Sequence, residues 1–464
     1  MKNKGIERYL VLYIPWLLAV LCEWDPVLSY FIAWLGSFLI FYLTLTGWVK
    51  AIPGDRRLSD QLMRPLFLMQ IIFAGFMSCT TIFYFLNTLG YENFEKTNIY
   101  TLTDTNKLML IAQCQRYYSL GHAAFVTGIL VCMNYSKPKK YYIEKNTLAN
   151  LLLKIALISF PVAIIFTRLP GLSQFSLQFN SLSFIAGTLA LAFAIPLKKS
   201  FNTIICLVLY AFNFYGAFTS GFKEPIIISV VVLGIFLYPN YKKLVTITFV
   251  PLLLTLFLFL PAYVSKFREN AWSGTDVDES SQIAIDAVLN DDIDDSNWSF
   301  FVYRLSEIDM FTTFVQSTPK NIDYYGLRLL EQSAIAIIPR AVWPAKPITE
   351  NLIMERVYNA DVVSRGSNVS AKPAFVVDGY LSGGLTGIFI SLFAYGAIAQ
   401  LISNKAEHLF GGYILGSALI FSGLFQIFWR GLSFEFLINS VCWSYVSMLI
   451  LHRVLLRLKI LKTY

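Results

Sequence analysis

The sequence predicts an all-α fold: a polytopic integral membrane protein with about twelve transmembrane helices and one large hydrophilic loop. Three observations carry that expectation. Of the 464 residues, 56% are hydrophobic and only 14% charged, where soluble globular chains carry about 25% charged residues. Apolar runs of about 20 residues, the length that crosses a bilayer core of ~30 Å, recur along the chain. The loops between them alternate between basic and non-basic character.

The runs lie near 8–22, 27–48, 65–89, 108–134, 148–168, 180–197, 201–220, 225–239, 244–262, 383–403, 410–428 and 434–452. The first follows a basic start, Met1 to Arg8, with no small-residue cleavage site, and so reads as an uncleaved span. Glu23-Trp24-Asp25 reads as a tryptophan-anchored helix end rather than as a metal site. One set of loops carries Lys50/Arg56/Arg57/Arg64, Lys137/Lys139/Lys140/Lys145, Lys198/Lys199, Lys242/Lys243 and the tail Arg453/Arg457/Lys459/Lys462. The other set comprises Glu23–Pro26, 90–107, 169–179 and the long stretch 263–382. The positive-inside rule then expects both termini in the cytoplasm and the long loop outside. The chain divides accordingly into 1–262 (spans 1–9), 263–382 (loop) and 383–464 (spans 10–12 and a basic tail).

Within the loop, Ala271 to Phe300 holds eight acidic residues and no Lys or Arg. Asp291-Asp292-Ile293-Asp294-Asp295 lacks the glycine and terminal glutamate of a calcium loop, so 276–295 reads as a solvated, mobile segment. The sign then reverses, through Arg304, Lys320, Arg328, Arg340, Lys346, Arg356, Arg365 and Lys372. Segments 301–316 and 326–338 have helical apolar spacing and are expected as surface helices. The six cysteines all fall in apolar segments, which gives neither a disulfide framework nor zinc spacing. The net charge of +8 is that of basic cytoplasmic loops, so no nucleic-acid partner is expected. No phosphate loop or Ser/His/Asp set appears.

Cations at the non-basic ends of spans run against the positive-inside pattern. Arg116 and His122 lie inside span 4, Lys223 and Glu224 in the turn Gly221-Phe222-Lys223-Glu224-Pro225, Arg268 after span 9, and Arg430 in Trp429-Arg430-Gly431. A charge at a helix centre costs ~2.5–3.5 kcal/mol on insertion scales, so such residues pair, snorkel or line a cavity. The bland reading is an ion pair with Glu224 or Glu435. The functional one is a cluster facing a lipid-linked diphosphate, which arginine forks grip bidentately and lysine meets as a point charge. Such a cluster would stabilise a departing diphosphate by preorganised electrostatics, with no metal or cofactor.

Four stretches then resemble, in order, the Wzy-type oligosaccharide repeat-unit polymerases, which include the O-antigen and enterobacterial common antigen polymerases. They are Thr219-Ser220-Gly221-Phe222-Lys223-Glu224, Tyr303-Arg304-Leu305-Ser306, Ile338 to Pro347 with its Trp343-Pro344-Ala345-Lys346-Pro347 core, and Asp378 to Gly387. The likeness covers roughly 200–440 and departs at Lys223, where the family pattern has arginine. It implies a GT-C-like, metal-independent glycosyltransferase in a bacterial inner membrane. Undecaprenyl-diphosphate-linked oligosaccharide units would be both donor and acceptor. Arg304, Arg340, Arg430 and Lys223 are then the catalytic cations, and Glu224, Asp378 and Glu331 are candidate bases by position. Arg116, Arg328, Lys346 and Trp343 are candidate substrate contacts, with Trp343 equally suited to anchoring a Trp-Pro turn. Beyond the lipid bilayer and the lipid-linked glycan, a chain-length regulator protein is the partner left open. Two alternatives stand beside this reading: a lipid-linked oligosaccharide flippase or exporter, and an O-acyltransferase of surface glycans using His122.

Overall fold

A computed structural model describes residues 5–96, 104–135, 140–169, 171–219, 221, 223–271, 273–290, 298–367, 371–420 and 433–463. Helices dominate them, and sheet is confined to two antiparallel pairs, Tyr91–Glu92 with Glu95–Lys96 and Tyr141–Tyr142 with Lys462–Thr463. Among the described residues, seven helices are long and apolar enough to cross a membrane: Pro26–Leu45, Pro65–Thr88, Lys145–Arg168, Ser200–Phe218, Lys242–Ala271, Phe375–Leu409 and Phe434–Arg457. Gln178–Ala194 and Ile226–Leu237 are shorter apolar helices. Thr105–Cys132 is as long as a span, but it turns Gln115, Ser119 and His122 into the protein interior.

Helix starts follow from local chemistry. Asp25 precedes Pro26, whose fixed φ suits a first helical position, and its Oδ1 accepts from Val27 N at 2.9 Å and Leu28 N at 3.1 Å. Asp104 caps Thr105–Cys132 in the same way, through Asn106 N and Lys107 N. The end of the Glu23-Trp24-Asp25 motif is therefore a helix cap.

Two compact units divide the chain. The first takes Met1–Lys137, Phe301–Lys405 and Ile427–Tyr445; the second takes Pro138–Phe300, Ala406–Gln426 and Val446–Tyr464. In the first, Thr105–Cys132 is buried along most of its length against Pro26–Leu45 and the Pro65–Thr88 segment. Its Gly128 meets the Phe393 carbonyl and Gly396 meets the Phe125 carbonyl so closely that a Cβ at either would strike backbone. Small residues permit this kind of helix contact in apolar surroundings. The second unit packs Lys145–Arg168 on Gln174–Ala194, then Ser200–Phe218, Lys223–Leu237 and Lys242–Ala271.

Two expectations change. The acidic stretch is not loop throughout: Val277–Asn290 is a helix whose Ala284 packs into a cluster with Ala217, Ile226, Leu260, Tyr263, Val264 and Phe267. Its apolar stripe outweighs the mutual repulsion of carboxylates that face water; Asp291–Asp295 lies outside the described residues. Past the loop, helix begins at Phe375 rather than near 383, and it breaks at Gly383 and Gly384. Gly384 has φ 62° and ψ −137°, a conformation that glycine alone adopts without strain. A Cβ at Gly379 would lie 3.3 Å from Ile388 Cα, and one at Gly387 would meet the Gly379 carbonyl. The short arm 375–382 thus folds back on the long helix that follows.

Candidate functional site

The loop of the first unit contributes Ile308–Ser317, Arg328–Ile337 and Thr349–Asn359. The last of these buries Ile353, Met354, Arg356 and Val357 on one face, so an arginine stands where the apolar spacing calls for a core residue. It is neutralised by two carboxylates from other elements. Arg356 Nη1 donates to Glu435 Oε1 at 2.6 Å and Nη2 to Glu435 Oε2 at 2.9 Å, a bidentate fork. Nη2 also donates to Asp378 Oδ2 at 3.0 Å. Asp378 sits on the folded-back arm, and its Oδ2 accepts from the backbone N–H of Phe434, which opens the Phe434–Arg457 helix.

All three side chains are sealed from solvent, Arg356 at 1% exposure and both carboxylates at 0%. Burial works against the Arg356 charge, but Asp378 and Glu435 outweigh it and hold the guanidinium more firmly protonated than a free arginine. One cation and two carboxylates tie a loop helix to the beginnings of two apolar helices. Asp378 Oδ1, Arg356 Nε and Ser433 Oγ are buried without a protein hydrogen-bond partner.

The Trp343-Pro344-Ala345-Lys346-Pro347 element is a helix stop. Val342 N and Trp343 N both donate to Pro339 O, and Lys346 N donates to Trp343 O, which winds 339–346 into successive turns. Lys346 then reaches back, its Nζ donating to Ala336 O and Ile338 O, each at 2.8 Å. Trp443 Nε1 donates to Ile337 O at 2.9 Å. Three carbonyls at the end of Arg328–Ile337 are thereby satisfied, two of them by an ammonium lying at the negative end of the helix dipole. Burial lowers the Lys346 pKa, and the nearby Arg340 lowers it further. Trp343 stays 38% exposed. Arg340 Nη2 donates to Pro347 O at 3.4 Å, at the long edge of hydrogen bonding.

Arg328 and Glu331 lie exposed on the first turn of Arg328–Ile337. Arg116 is nearly buried; its Nη1 donates to Ser29 Oγ at 2.9 Å and its Nη2 is 3.7 Å from Glu23 Oε2. Arg304 lies in the π-helical turn Phe301–Leu305, and Lys223 and Glu224 open Lys223–Leu237. The side chains of those three, and the whole of Arg430, lie outside the described residues. An aromatic ledge flanks the folded-back arm: Tyr380 stacks on Tyr117 at 5.2 Å and meets the exposed Tyr324 edge-on at 5.8 Å. Among the described residues no three His, Cys, Asp or Glu side chains gather into a metal-binding group.

Sequence reasoning missed the partnership of Arg356 with Glu435. The signal was present: Arg356 falls in helical phase with Ile353 and Val357, on the face that packs inward. No curated protein and no solved structure matches the chain. The family described as a domain of unknown function, DUF8712, matches residues 14–463, and the chain belongs to that family.

Proposed function

We propose that the protein is a GT-C-like polymerase that joins lipid-linked oligosaccharide units at the outer face of a bacterial inner membrane. Its twelve apolar runs would all span, leaving both termini in the cytoplasm. The observation that carries the reading is the anchoring of the long loop. Arg356 docks it through a buried three-residue charge cluster, and Lys346 closes the helix that leads to Arg340 and Trp343. A segment held this firmly suits a preorganised reaction surface better than a linker between spans.

In the proposed reaction the terminal hydroxyl of the acceptor glycan attacks C1 of the donor's reducing sugar. The new C1–O bond replaces the C1–O bond to undecaprenyl diphosphate, which leaves as the diphosphate, and the hydroxyl proton passes to a base. Arg340, Arg304, Arg430 and Lys223 would hold the diphosphate, and Trp343 or Tyr324 would offer an aromatic face to a sugar. Asp378 and Lys346 take a different part from the one their sequence positions suggest. Asp378 is fully buried and Lys346 is committed to backbone carbonyls, so both position the loop. Of the acids considered as bases, Glu331 has a described side chain open to solvent.

Purified protein supplied with undecaprenyl-diphosphate-linked repeat units should make longer glycans, and should still do so with chelator present. Arg340→Ala and Arg430→Ala are each expected to lower chain extension at least about 10²-fold, as loss of a charge-stabilising donor does in other enzymes. Full-length polymer from both variants would overturn the reading.

A further inference from the structure

Inside the first unit, three helices enclose a polar seam. At one level Tyr30 Oη and Thr81 Oγ1 are 2.8 Å apart, Thr81 Oγ1 donates to Gln115 Oε1 at 2.8 Å, and Gln115 Nε2 donates to Ser78 O at 3.0 Å. At a second level Gln70 Nε2 lies 3.0 Å from Thr44 Oγ1 and 3.2 Å from His122 Nε2. Between the two levels each helix presents a further hydroxyl on the same face. Ser37 stands midway between Tyr30 and Thr44, Ser119 lies between Gln115 and His122, and Ser78 lies between Gln70 and Thr81, one turn from Thr81. All of these residues are completely buried.

Ser37 Oγ, Ser78 Oγ, Ser119 Oγ and His122 Nδ1 have no protein hydrogen-bond partner. Buried polar atoms are nearly always paired, with protein or with ordered water, and four unpaired ones along one seam are far from that pattern. The backbone has also been reshaped here. Pro65–Met69 and Gly75–Cys79 are π-helical turns, a form that is rare and gathers at functional positions. They turn carbonyls sideways, so that Ser78 O receives Gln115 Nε2 and Cys79 O receives Trp34 Nε1, each at 3.0 Å.

We propose that this seam is a water-binding site: a short file of water held by Ser37, Ser78 and Ser119, leading to His122. Each water would take two or more of these unpaired groups together with the Gln70 and Thr44 polar atoms. The file would link His122 to the level of Tyr30 and Gln115, one residue away from Ser29 and Arg116. Arg116 is the charged group at that end, paired with Ser29 and Glu23. The proposal does not depend on the glycan chemistry above.

The chain has three histidines, His122, His408 and His452, so one residue-type label resolves the question. Full-length protein with ring-labelled histidine, in lipid bilayers, is examined by solid-state NMR with polarisation transferred from water, and His122→Gln assigns the signal. The expected result is a His122 ring that fills as fast as the partly exposed His408 and His452. A ring that stays dark while those two fill overturns the proposal. In Ser37→Ala/Ser119→Ala the transfer to His122 should fall several-fold while His408 and His452 are unchanged. Undiminished transfer in that variant would mean that the serines do not hold the water, which also overturns it.

Discussion

Arg356 faces two carboxylates in a place that water does not reach, and the physics of that arrangement makes opposite predictions for its removal alone and for removal of all three charges. Arg356→Met would leave Asp378 and Glu435 buried without their cation, at a cost of about 3–5 kcal/mol. It should appear as a large fall in the melting temperature of the purified protein. Arg356→Met/Asp378→Leu/Glu435→Met removes every buried charge and should recover most of that loss, since replacing a buried ion cluster by apolar residues of similar volume is often neutral. A triple variant no more stable than the single one would refute the account. Lys346→Met tests the helix stop. Losing two charge-assisted bonds to carbonyls should cost about 1.5–3 kcal/mol, read as faster amide hydrogen exchange across Arg328–Ile337. At this scale the residue types were legible in the sequence, but not their partners. By position in the 378–387 stretch Asp378 is a candidate base, whereas its partner, Arg356, lies 22 positions away on the helix Thr349–Asn359, outside the segments whose apolar spacing predicts surface helices.

Among the described residues, seven membrane-length helices fall on apolar runs of the sequence, because burial and lipid both reward a continuous apolar surface with every backbone group bonded internally. The exceptions were decided by packing. Acidic Val277–Asn290 forms a helix because its apolar face meets the aromatic side chains of Lys242–Ala271, notably Tyr263 and Phe267. The chain reverses at Gly383–Gly384 because Gly379 and Gly387 let the two arms touch through backbone. The contact of Thr105–Cys132 with the helix after that reversal is equally dependent on glycine. Gly128→Val or Gly396→Val should destabilise the protein by about 1–3 kcal/mol or more, seen as reduced yield of folded protein and a lower melting temperature. Gly216→Ala, at a position with nothing near the new Cβ, should leave both unchanged.

For the whole molecule, the alternation of basic and non-basic loops predicts which surfaces share a side of the membrane. In a cysteine-free background, Val342→Cys in the exposed Trp-Pro turn should react with a membrane-impermeant maleimide in intact cells. Lys243→Cys should react only after the membrane is opened. Labelling of both from outside would reject the twelve-span topology.

Composition, run length and loop charge are properties of short stretches read against water and lipid, and they sufficed for a helical chain with many membrane-length apolar segments. The cap at Asp25 and the helical phase of the loop segments are local in the same sense. The charge cluster of Arg356, Asp378 and Glu435, the use of Lys346 as a carbonyl cap, and the hydroxyl-lined seam beside His122 were decided only by the tertiary structure. Each depends on side chains far apart in the chain meeting where water is excluded, and an ion pair or a buried hydroxyl has no periodicity of its own by which a sequence could announce its partner.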